Sequence, residues 1–182
     1  MSLLSAALVK DALTHLGWQK RVLSDGLAVL PCCTGMSITL ALSSLPRKKK
    51  VVWLRIDQKS CFKAITAAGF EPLVIESRWQ EDELVSDLEA IEQAIKTHGP
   101  DQIHAIVSCV SCFAPRAADS IVKIGNLAKK NSIPHVINGA YAAFSQKACN
   151  LVNNAHFGLL VMSLDKNFLV PVSGAVIFGK LT

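Results

Sequence analysis

Lys166 is the residue whose type and neighbours point most directly to chemistry. It follows the apolar run Leu159-Leu160-Val161-Met162 and the tripeptide Ser163-Leu164-Asp165, and Pro171 comes shortly after it. A lysine that comes straight off a buried strand is a candidate for a depressed pKa, and so for nucleophilic or Schiff-base work. The plain alternative is a lysine that ends a strand and points into water. A second candidate is Cys32-Cys33-Thr34-Gly35-Met36-Ser37, a small polar turn between an apolar strand and a helical run. Free backbone N–H groups at a helix start bind anions, phosphate above all; Thr34 adds a hydroxyl and Gly35 allows close backbone approach. A simple N-cap by Thr34 is the competing account.

Other groups lie at equivalent places. Arg55, Asp57, Gln58 and Ser60 follow the run Val51-Val52-Trp53-Leu54, the stretch Ser108 to Arg116 follows another apolar run, and Asn138, Ala140 and Tyr141 follow a third. Together with Cys33-Thr34-Gly35 and Ser163-Asp165-Lys166, this makes five apolar strands that each end in small or polar residues. In open α/β sheets ligands gather at the carboxyl ends of the strands, so the five ends belong to one ring. A lysine, an anion-type helix start and a polar side chain able to face a ring suit pyridoxal phosphate. They equally suit a sugar-phosphate or nucleotide binder in which Lys166 is a point charge.

The elements that must position these groups can be read in order. Residues 3–16 read as a helix with Leu4, Leu8, Ala12 and Leu16 on one face, stopped by Gly17. Strands are expected at 27–30, 51–54, 72–75, 103–107, 133–137, 159–162 and 174–178. Helices are expected at 38–45, from about Ser60 to Ala68, over 83–98, over 120–130 with Asp119 as its cap, and over 146–153. The alternation implies a doubly wound α/β domain, with a mainly parallel sheet of about seven strands and helices on both faces. The last pair of strands leaves room for an antiparallel member.

Composition bounds the rest. The chain has 182 residues, is 51% hydrophobic and has a mean hydropathy of +0.35. No apolar run approaches the ~20 residues of a spanning helix, so the excess reads as a sheet buried on both faces or as a partner interface. Residues 1–182 read as a single domain, and the start, with no signal-type pattern, leads us to expect a cytoplasmic protein. Six cysteines are too few for a disulfide scaffold; Cys109-x-x-Cys112 has the spacing of half a zinc site, but no second pair follows and no metal site is expected. The net charge is +5, and Arg47-Lys48-Lys49-Lys50 concentrates much of it. That run reads as a solvated loop or as a contact for a phosphate backbone.

Longer motifs narrow the chemistry. The stretches Thr34-Gly35-Met36-Ser37, Arg55-Ile56-Asp57-Gln58-Lys59-Ser60-Cys61-Phe62-Lys63, Ser111-Cys112-Phe113-Ala114-Pro115-Arg116, Asn138-x-Ala140-Tyr141 and Ser163-Leu164-Asp165-Lys166-Asn167-Phe168 run in order along the chain. In these the chain resembles the O-phosphoseryl-tRNA(Sec) selenium transferases, also called selenocysteine synthases. The resemblance implies the aspartate-aminotransferase-like (fold type I) large domain and the cofactor pyridoxal 5'-phosphate. It implies conversion of phosphoserine on tRNA(Sec) to selenocysteine with selenophosphate, in a homo-oligomer, dimer or tetramer. Lys166 would be the Schiff-base lysine. Cys33, Thr34 and Gly35 would lie at the cofactor phosphate, joined by Ser163; Asn138 would face the ring, and Gln58 and Ser60 would lie near it.

The chain also departs from the family pattern. The family's Val-Pro-Val-Gly-Gly is Val170-Pro171-Val172-Ser173-Gly174 here, and the segment Ala155 to Val161 is shorter, with His156 as its only basic residue. The family's N-terminal helical region, its phosphoserine-binding arginines and its C-terminal domain are expected to lie outside these residues. Two alternatives therefore stand: a non-catalytic subunit of an oligomer, or another fold type I lyase or desulfurase.

Overall fold

The computed structural model describes residues 3–23, 26–171 and 173–179; Val172, one of the motif positions above, lies outside them. A helix α1 (Leu3–His15) and a short α2 (Lys20–Leu23) lead into strand β1 (Ala28–Leu30) and helix α3 (Thr34–Ser43). Strand β2 (Lys50–Leu54), helix α4 (Ser60–Ala67) and strand β3 (Glu71–Ile75) follow. A hairpin of β4 (Ser77–Gln80) and β5 (Glu83–Ser86) precedes helix α5 (Leu88–His98) and strand β6 (Ile103–Cys109). The chain continues through α6 (Ile121–Lys130), β7 (His135–Asn138), α7 (Gln146–Asn153), β8 (Leu159–Ser163), the short α8 (Leu164–Phe168) and β9 (Ala175–Gly179).

Seven strands form one sheet in the order β1-β9-β8-β7-β6-β2-β3. The block β8-β7-β6-β2-β3 is parallel throughout, and β9 is antiparallel to both β8 and β1. The expected mainly parallel sheet of seven strands is what forms, with its antiparallel member at β9. The chain leaves β2 toward β3 on one side, then returns to place β6 on the other side of β2 and builds outward through β7 and β8. The reversal between β2 and β6 is a topological switch point, where such sheets open a crevice.

Alternation along the strands explains the high apolar content. Val51 and Trp53 pack under α3 and α4 with Ala105, Val107, Val136 and Val161. Their neighbours Val52 and Leu54 face the other way, onto Ile91 and Ile95 of α5 and Ile124 of α6. A third apolar cluster joins Leu13, Trp18 and Leu23 to Leu160, Met162, Val176 and Phe178 and to Val152 of α7. Helices thus cover both faces, and strands buried on both faces carry no polar alternation.

Four expectations are corrected. The helix read over 83–98 begins only at Leu88, because Glu83–Ser86 is the second strand of a hairpin. Leu84 falls one helical turn before Leu88, so the periodicity ran on by coincidence; Asp87 is the true cap, its carboxylate accepting from the Ala90 N–H at 3.0 Å. Asp119 does not cap α6, whose N-cap is Ser120. Its carboxylate turns inward, accepting from the Cys109 N–H at 2.7 Å and from Arg116. On α1 the stripe Leu4–Leu8 faces outward, 66% and 61% exposed, while Val9, Leu13 and Leu16 pack inward. Finally, α3 starts at Thr34 rather than Ile38, so Thr34 and Gly35 lie in its first turn.

Candidate active site

The carboxyl ends of β1, β2, β6, β7 and β8 open into one cavity of about 350 Å³. Its wall includes Cys33, Thr34 and Gly35 from the start of α3, Asp57, Gln58 and Ser60 from the turn after β2, and Asn138, Ala140 and Tyr141 after β7. Cys109, Ser111, Cys112, Phe113 and Arg116 close the side after β6, and Lys166 reaches in from α8. Of the residues expected at the site from sequence, all but Ser163 line this cavity.

Ser163 is wholly buried beneath it. Its Oγ accepts from the Lys166 backbone N–H at 3.4 Å and donates to Asp165, so the hydroxyl is used up in capping the first turn of α8. That turn aims the lysine. Lys166 Nζ lies 3.3 Å from Asp165 Oδ2, 3.4 Å from Ser163 Oγ and 5.8 Å from the centre of the Tyr141 ring. Asn167 fixes the turn from behind: its Nδ2 donates to Ala140 O at 2.7 Å and its Oδ1 accepts from the Ala143 N–H at 3.1 Å. The loop after β7 and the lysine helix are therefore locked together.

At the other wall the first turn of α3 presents Thr34. Its Oγ is buried and, among the described residues, makes no hydrogen bond. A buried hydroxyl without a partner costs about 1–3 kcal/mol, so the position calls for an external group. The α3 N-cap, Cys33, offers no side-chain bond either, which leaves the N–H groups of the first turn open to an anion. An orphan hydroxyl beside a free helix start, on a cavity of this size that a lysine also lines, fits the phosphate, aldehyde and ring of pyridoxal phosphate.

Between these two walls the side chains are held by one another. Asn138 is buried; its Nδ2 donates to Cys61 Sγ at 3.2 Å and its Oδ1 accepts from the Ala140 N–H at 3.1 Å. Gln58 Oε1 accepts from the Ser60 N–H at 2.6 Å and from the Ser60 hydroxyl, which starts α4. Burial pushes the Cys61 thiol up to about 11, so it stays a neutral packing group. Cys112 moves the other way, lowered because the Cys109 thiol hydrogen-bonds to it.

Arg116 and Asp119 form a strut that no sequence pattern announced. The guanidinium pairs with the buried carboxylate, donates from Nη1 to Ala117 O at 2.7 Å and from Nε to Arg55 O at 3.2 Å. Burial raises the Asp119 pKa, and Arg116 opposes that rise. The strut ties the end of β2 to the loop after β6. Among the described residues no cluster of ligands suits a metal ion, and Cys109 and Cys112 act within the wall.

Comparison with known proteins gives a consistent family. The sequence profile of O-phosphoseryl-tRNA(Sec) selenium transferase, SepSecS, matches residues 1–181. The enzyme of that name from Dictyostelium discoideum is 40% identical over 185 residues, covering 97% of this chain and 38% of the relative. Its counterpart from Caenorhabditis elegans is 42% identical over 157 residues, covering 82% of this chain and 32% of the relative. The chain thus spans 32% to 38% of the length of these curated relatives. The crystal structure of an archaeal O-phosphoseryl-tRNA(Sec) selenium transferase superposes with a TM-score of 0.89 at 28% identity, over 98% of this chain and 42% of that one. A rice TDC solved with pyridoxal phosphate (PLP) and tryptamine superposes with a TM-score of 0.76 at 12% identity, over 97% of this chain and 43% of that one, a likeness of fold.

Proposed function

The chain belongs to the O-phosphoseryl-tRNA(Sec) selenium transferase family, and from that premise we propose that it provides the pyridoxal-phosphate cradle for exchanging the phosphate of tRNA-bound phosphoserine for selenium. The observation that carries this reading is the pairing, across one cavity, of the Lys166 amine with the buried, unpartnered Thr34 hydroxyl at the start of α3. We infer further that residues 1–182 form a single cofactor-binding unit, a reading supported by apolar clusters that share one sheet.

Each residue then has a task. Lys166 Nζ would hold the cofactor and would be the group that carries the substrate's α-proton. Asp165 and Ser163 orient Nζ from within α8. Cys33, Thr34 and Gly35 bind the phosphate through the first turn of α3. Asn138 faces the ring, and Gln58 and Ser60 border it. When bound, pyridoxal phosphate supplies the electron sink that lets the α-proton and the β-substituent leave. The substrates on this reading are phosphoseryl-tRNA(Sec) and selenophosphate, the assembly is a homo-oligomer, and the compartment is the cytoplasm. The exposed apolar side chains Phe113, Tyr141, Phe144 and Leu169 support an oligomer. No described helix is long and apolar enough to cross a membrane.

Borohydride reduction of the protein in saturating pyridoxal phosphate tests the reading. The expected result is one cofactor mass on the peptide that contains Lys166, absent from Lys166→Ala. An unlabelled Lys166 peptide in the wild-type chain defeats it.

A further inference from the structure

The opposite, amino-terminal end of the parallel strands carries a second and larger cavity, of about 870 Å³. Its wall holds Arg21 from α2, Lys48 from the approach to β2, Lys129 from the last turn of α6 and His156 from the loop before β8. Among the described residues no aspartate or glutamate lines it and none of the three cations pairs with a carboxylate; Arg21 donates instead from Nε to Gln19 Oε1 at 2.6 Å and from Nη2 to Asn153 O. The basic run that stood out in the sequence accounts for one of them. Arg47 of that run lies over the Phe70 ring at 5.5 Å and Lys50 pairs with Glu71 at 2.5 Å, whereas Lys48 lines the cavity with its Nζ donating to Pro100 O at 3.1 Å, which leaves two of its three N–H donors for a ligand.

Two further histidines hold the cavity in shape without adding charge. His104 Nε2 donates to Leu42 O at 2.8 Å while its Nδ1 accepts from the Lys48 N–H at 3.2 Å. His135 Nδ1 donates to His156 O at 3.2 Å while its Nε2 accepts from the Ser108 hydroxyl at 2.7 Å. Both rings are buried and both nitrogens of each are engaged in the neutral form. The rim is equally firm, because Gly125 of α6 passes so close that a Cβ there would lie 2.2 Å from His156 O. The cations therefore come from three separate elements onto a rigid, concave wall with no carboxylate among its described residues. Such a wall complements an anion whose charge is spread over several oxygens.

We propose that this cavity binds a small phosphorylated anion carrying a di- or polyphosphate group. Inorganic pyrophosphate is the probe, titrated by calorimetry into the full chain already saturated with pyridoxal phosphate, so that the α3 cradle is filled. One saturable site is expected. Lys48→Ala and Lys129→Gln should each weaken it about tenfold, the loss of one charge-assisted hydrogen bond. Thr34→Val should leave it unchanged, which separates this cavity from the cofactor cradle, and melting temperatures verify that the variants fold. Absence of saturation, or a site that survives the Lys48→Ala/Lys129→Gln double substitution, overturns the proposal; so does a site lost with Thr34→Val.

Discussion

At the scale of single residues the site rests on two groups in opposite circumstances. Lys166 is surrounded by partners that orient it, whereas the Thr34 hydroxyl is buried with none. The second case makes the sharper prediction. Thr34→Val removes an unsatisfied buried hydroxyl, so the protein without cofactor should be as stable as wild type or up to ~1–2 kcal/mol more stable. The same change should weaken pyridoxal-phosphate retention about tenfold, since it removes the hydrogen bond proposed between Thr34 and the phosphate. Denaturant melts and a cofactor titration read the two effects separately. A variant that loses stability and keeps its cofactor affinity contradicts the role given to Thr34. Lys166 was legible in sequence because a lysine among apolar residues stands out. The Arg116–Asp119 strut was not, because an arginine and an aspartate three apart look like any solvated pair until the fold buries them.

At the scale of elements, the hairpin β4–β5 and helix α5 carry the lesson. Leu84, Leu88, Ile91 and Ile95 make an unbroken helical stripe in sequence, yet the first of these residues is in a strand. What decides it is tertiary: the Leu84 N–H donates to Pro115 O at 2.9 Å and Leu84 O accepts from the Ala117 N–H at 2.9 Å. The hairpin thereby braces the loop that carries Phe113 and Arg116 into the cavity. Asp87 marks the change from strand to helix, and its cap satisfies a backbone donor that would otherwise go unpaired. Asp87→Ala should cost about 1 kcal/mol in a denaturant melt. Asp87→Ser should recover most of it, and equal losses in the two variants would show that the cap is not what matters.

For the molecule as a whole, buried histidine links stability to pH. Burial lowers the His135 imidazole from its ordinary value near 6.5 to about 4. The unfolded chain therefore binds a proton that the folded chain refuses between those values. Stability should be full above pH 6.5 and fall as the pH drops toward 4, by roughly 3 kcal/mol for this one group. His104, also lowered by burial, adds to the same trend. In His135→Gln, which keeps a donor and an acceptor but has no site to gain a proton, the slope of stability against pH between 4 and 6.5 should be shallower. An unchanged slope would assign the acid sensitivity elsewhere.

The sequence by itself determined the class of fold, because strands buried on both faces must be continuously apolar and a long helical crossover between neighbouring strands leaves them parallel. It also determined where chemistry collects, because polar residues in such a chain survive only at strand ends. The structure decided what sequence distance hides. It brought five strand ends separated by up to 133 positions into one cavity, from Cys33 to Lys166. It moved Ser163 from the cavity wall to a cap beneath the lysine, and gathered Arg21, Lys48 and Lys129 around a second cavity that no local pattern marks. Local patterns record which residues are buried; which of them meet depends on strand order, and strand order is fixed only when the sheet assembles.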